Sequence, residues 1–87
     1  MKAGMHVKLT WMDGRKPPEN KEMTGVLCLD FQVGYPIMIS LGGDRYWLTT
    51  TVVKVCNVLL SKDGDQITFR TQNSKYNLTE LKQLTAA

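Results

Sequence analysis

Turn-forming residues divide this chain into segments of strand length. Asp13-Gly14, Gly34, Gly42-Gly43-Asp44, Asp63-Gly64 and Gln72-Asn73-Ser74 each carry the chemistry of a tight turn or loop. Between them, apolar residues recur at every second position, the period of a half-buried strand. In residues 5–11, Val7, Leu9 and Trp11 share one face, and His6, Lys8 and Thr10 the other. Residues 36–41 alternate with Ile37, Ile39 and Leu41 inward, and 66–71 alternate as cleanly. Residues 23–31 hold a near-continuous apolar run, which predicts a strand covered on both faces over part of its length, with Gly25 allowing a bulge or bend. Residues 52–60 are rich in valine and leucine and are the most strand-like stretch of all. Residues 45–48 and 75–78 complete the set.

Three segments break the pattern. Residues 12–22 combine Asp-Gly, Pro-Pro and several charges without apolar periodicity, and are read as a long exposed loop. Thr49-Thr50-Thr51 is expected to hold a short turn before the next strand. At the end, Asn77 with Glu80 can cap a helix, and Leu78, Leu81 and Leu84 fall at helical spacing, so a short C-terminal helix is expected.

A chain of 87 residues has room for one small core, so residues 1–87 are read as a single all-β domain of five to seven antiparallel strands. Closing such strands into a barrel removes the exposed edges that would otherwise pair with other chains. The long charged loop after the first strand, followed by a meander and a final hairpin, resembles an SH3-like barrel. An OB-fold is the competing closure; it wants a helix between its third and fourth strands, and the threonine run suits one poorly. The segments Thr50-Thr51-Val52-Val53 and 67–76 are similar to short uncharacterised proteins encoded by phages and other mobile elements. That resemblance implies no particular activity.

The residues that carry chemistry are sparse. His6 is the sole histidine, and Cys28 and Cys56 lie in separate apolar runs without a C-x-x-C, so no metal site is expected. Both thiols are expected to be buried, reduced and inert. Asp63 and Asp65 flank a turn, whereas Asp30 is read within an apolar strand and would need a partner if buried. There is no phosphate-binding glycine loop. No catalytic constellation, cofactor or signal-peptide pattern is recognised, and no apolar run approaches the ~20 residues that span a bilayer. The chain is therefore expected to be a non-enzymatic cytoplasmic protein.

What remains is a basic lean, eleven Lys+Arg against eight Asp+Glu, interleaved with aromatic residues. Lys8, Lys54, Arg70 and Lys75 fall on outward strand positions, Arg15 and Lys16 lie in the long loop, and Arg45 precedes Tyr46 and Trp47. Small barrels bind nucleic acid by combining such cations with stacking rings. These residues are the candidate surface for a nucleic acid or a nucleoprotein. The alternatives are an inhibitor or adaptor docking on a host protein through its tyrosines and tryptophan, and a homo-oligomer built by strand edges.

Overall fold

The structure is a computed structural model describing residues 1–14 and 22–81. It comprises β1 (His6–Gly14), β2 (Glu22–Leu27), β3 (Pro36–Gly42), β4 (Arg45–Leu59), β5 (Gln66–Thr71) and β6 (Ser74–Glu80). All neighbours are antiparallel, and the order β1-β2-β3-β4-β5-β6 closes into a barrel because β1 pairs with β2 on one edge and β6 on the other. The fold is the small all-β barrel expected from the alternation of apolar residues and turns.

The alternating residues fill the interior. Val7, Leu9, Leu27, Ile37, Ile39, Val52, Ile67, Phe69, Tyr76 and Leu78 form one buried cluster. Phe69 sits at its centre, edge-on to Phe31 at 5.3 Å and stacked on Tyr76 at 5.8 Å. Trp47 turns inward from β4 and meets Tyr76 edge-on at 5.8 Å.

Three expectations are corrected. The threonine run is not a turn: it lies within β4, where Thr49 is buried and its Oγ1 accepts the Ile37 N–H at 2.9 Å. A hydroxyl that satisfies a buried backbone group holds the strand through a polar stretch. Nor does a helix begin at Asn77, because β6 continues to Glu80 and Leu81 donates its N–H to the His6 carbonyl. Closing the barrel on β1 outweighs a local capping signal at these residues. The rest of the expected helix, including Leu84, lies outside the described residues. Both ends of the segment read as a loop at 12–22 are strand, since β1 runs through Gly14 and β2 starts at Glu22, and residues 15–21 lie outside the described residues.

β4 is the corner strand. Residues up to Thr51 pair with β3, and from Val52 onward with β5. The register shifts between Val52 and Lys54 and again between Val55 and Asn57. Such bulges bend a strand and let it pass from one sheet layer to the other.

The β2–β3 seam is the shortest ladder, with Val26 opposite Ser40 and Leu27 opposite Ile39. Gly25 makes it possible: a Cβ there would run into the Ser40 carbonyl oxygen and stand 2.6 Å from Ile39 Cγ2. Gly25→Ala is therefore expected to cost about 1–3 kcal/mol through overpacking. Phe69→Ala should cost about 3–5 kcal/mol through the cavity it leaves. Both are read from denaturant unfolding curves, and a loss below about 1 kcal/mol for Phe69→Ala would contradict its central place.

Candidate nucleic-acid interface

Three of the cations singled out in the sequence form one row. Lys54 is opposite Arg70 across β4–β5, and Arg70 is opposite Lys75 across β5–β6. Directly opposed residues share a face of the sheet, with Cβ atoms about 5 Å apart. The adjacent pair Phe69 and Tyr76 points into the core, so the cation row lies on the outer face. Lys54, Arg70 and Lys75 form no ion pair among the described residues. The row continues to Asp13 of β1, opposite Lys75, which places a carboxylate at one end.

Lys8 shares this face. It stands opposite Thr79, four residues along β6 from Lys75, a distance of about 13 Å at strand rise. Between them runs an uncharged row of Thr10, Asn77, Thr68 and Asn57. Asn77 Nδ2 donates to Thr68 Oγ1 at 3.2 Å, and Thr79 Oγ1 donates to Asn77 Oδ1 at 2.7 Å. The face is thus a hydrogen-bonding floor with cations at two levels. Its threonines and asparagines were missed from sequence because strand threonine is common anywhere. Their position opposite buried Ile67, Phe69 and Leu78 in the alternation was the available signal.

The other candidates do not join the row. Arg45 is opposite Gly42 at the tip of the β3–β4 hairpin. Strand directions place it at the same end of the barrel as Lys75 and the β5–β6 turn. Tyr46 faces outward opposite Ser40, in a row that continues through Val26 to His6, so it belongs to another flank. Trp47, expected as an available stacking ring, is half-buried against Tyr76. Arg15 and Lys16 lie outside the described residues.

The thiols also differ from expectation. Cys56 is exposed, because it occupies the register shift between Val55 and Asn57 and has no cross-strand partner there. Cys28 is half-buried just beyond β2. Asp30 is exposed and accepts the Ala3 N–H at 2.8 Å, which supplies its partner. Among the described residues no three His, Cys, Asp or Glu side chains are grouped as a metal centre would require. No helix among them is long and apolar enough to cross a membrane.

A second feature had no counterpart among the candidates. Residues 53–60 are exposed throughout, including Val58 at 52%, Leu59 at 53% and Leu60 at 76%. In a strand buried on one face such positions would alternate. No protein family, curated protein or solved structure compared with this chain matches it.

Proposed function

We propose that this chain is a non-enzymatic, cytoplasmic binding module that engages nucleic acid, or a nucleoprotein, through the outer face of β4, β5, β6 and β1. The observation that carries this reading is the uninterrupted row of Lys54, Arg70 and Lys75. Like charges held this close repel, and a polyanion lying across them relieves the repulsion and releases its own counterions. Arg70 at the centre offers a planar fork suited to phosphate, and the lysines flank it as point charges.

With Tyr46 on another flank and Trp47 turned inward, this face has cations and amides but no exposed ring among the candidates. Contacts to phosphate position a ligand without reading its sequence. Binding is therefore expected to depend strongly on salt and weakly on sequence. If Lys8, Lys54, Arg70 and Lys75 each meet a phosphate, log K should fall with log salt at a slope of about 3–4 on duplex, and less on single strands.

Fluorescence anisotropy with labelled oligonucleotides across a salt series tests this. Arg70→Ala should weaken binding to all sequences alike and lower the slope by about 1, and Tyr46→Ala should leave both unchanged. Undetectable binding at low salt, or binding indifferent to salt, would refute the reading.

A second reading, an inhibitor or adaptor of a host protein, draws on the outer face of β3–β4. There Tyr46 and Leu48 are 55% and 59% exposed beside Ser40 and Met38. Exposed tyrosine flanked by apolar side chains is the material of interface hot spots. On that reading Tyr46→Ala abolishes a stoichiometric complex with the host factor and Arg70→Ala preserves it.

A further inference from the structure

We infer that the chain forms a homodimer by pairing the free edge of β4, residues 53–59, with the same edge of a second copy, antiparallel about a two-fold axis. β3 leaves β4 at Thr51, and the turn preceding β3 stays with it as far as Val52, which donates its N–H to the Tyr35 carbonyl and accepts that of Gly34. Beyond Val52, β4 is bonded to β5 alone among the described residues. A row of N–H and C=O groups facing outward is a template for another extended chain. The same corner leaves residues 45–51 without β5, but that half alternates between buried and exposed and turns Trp47 into the core.

The chemistry of the strip selects its occupant. Lys54 is the single charged side chain of residues 53–60, and the rest are Val53, Val55, Cys56, Asn57, Val58, Leu59 and Leu60. A polyanion gains nothing from such a strip, and a charged peptide finds no complementary charge beyond Lys54. The matching partner is a neutral, apolar strand, and this chain brings one of its own. Monomeric proteins protect long edges with charges, proline or bulges; here the charge is limited to Lys54, and the register shifts at Val52/Lys54 and Val55/Asn57 bend the strand.

Face parity fixes the register. Val55 and Val58 stand opposite Phe69 and Ile67 and so point to the inner side, whereas Lys54 and Leu59 stand opposite Arg70 and Gln66 and point outward. Opposed residues must share a face. An axis between Cys56 and Asn57 satisfies this while keeping the pairing within the free edge. It sets Val55 against Val58 of the second copy and Lys54 against its Leu59. The two Lys54 side chains are kept apart, and the exposed valines of the inner side cover one another. Residues 54–59 of each copy pair in this register, and six residues span about 20 Å, a small interface of the kind that associates reversibly. Because the axis stands perpendicular to the joined sheets, both outer faces look the same way. The dimer does not depend on nucleic-acid binding.

Sedimentation equilibrium of the full chain across concentration tests the pairing, alongside Leu59→Lys and Leu59→Glu. The wild type should shift from 9.8 kDa toward twice that mass in the micromolar range. Leu59→Lys, which sets a charge against Lys54 of the other copy, should weaken association by roughly tenfold or more. Leu59→Glu, placing an opposite charge there, should associate at least as well as wild type. A wild type that stays at chain mass to hundreds of micromolar overturns the dimer. Equal weakening by both variants overturns this pairing. Amide exchange adds a check that does not depend on the variants: protection at 53–59 should rise with wild-type concentration, and concentration-independent exchange there contradicts the proposal.

Discussion

Barrel closure is the constraint on which everything else in this small protein depends. β1 must pair on both of its edges, with β2 and with β6, and the second pairing holds the first and last strands of the described chain together. A single core then forms around Phe69. With so short a chain there is little interior to spare, so closure relies on close backbone approach. Gly25 provides it at the β2–β3 seam, and Gly64 does so at the β4–β5 turn, where a Cβ would collide with the Glu80 carbonyl oxygen. Gly64 also has a φ of +134°, a conformation that side chains rarely adopt.

Closure is completed at a cost borne by β4. One strand serves two sheets, and each half of it gives up a neighbour. The bulges that bend it also place Cys56 outside the ladder and leave Val55 and Val58 exposed on the inner side. The surface is thereby divided into three regions. The flank over β1, β6 and β5 is a polar floor bordered by cations. The flank over β3 and early β4 carries Tyr46 and Leu48. Between them lies an apolar strip whose outer backbone edge is unpaired among the described residues. Were two strips to join, the cation rows of two chains would share one face, and a polyanion would meet twice the charge.

The alternation at 5–11, 36–41 and 66–71 made the inward residues legible, since period two with one buried face admits one phase. Gly42-Gly43-Asp44 and Asp63-Gly64 likewise placed two hairpins. The outward cations Lys54, Arg70 and Lys75 followed from the same phase. Their adjacency did not, because it depends on register between strands, and the bulges at Val52/Lys54 and Val55/Asn57 shift that register. Thr49 was misread because its hydroxyl satisfies a partner twelve residues away. Asn77 was misread because the local cap competes with long-range pairing to Thr10 and Thr68. The exposure of 53–60 was hidden for a different reason. A valine-rich run looks like a central strand, and composition does not report which edges the topology leaves open.

The most direct measurement of the binding account is an amide chemical-shift map of the labelled protein as an oligonucleotide is added at low salt. The shifts should concentrate at Lys54, Arg70, Lys75 and Lys8, and along the row Thr10, Asn77, Thr68 and Asn57 between them. They should collapse together when salt is raised. Shifts confined to Tyr46, Leu48 and their neighbours on β3, or no shifts at all, would contradict it.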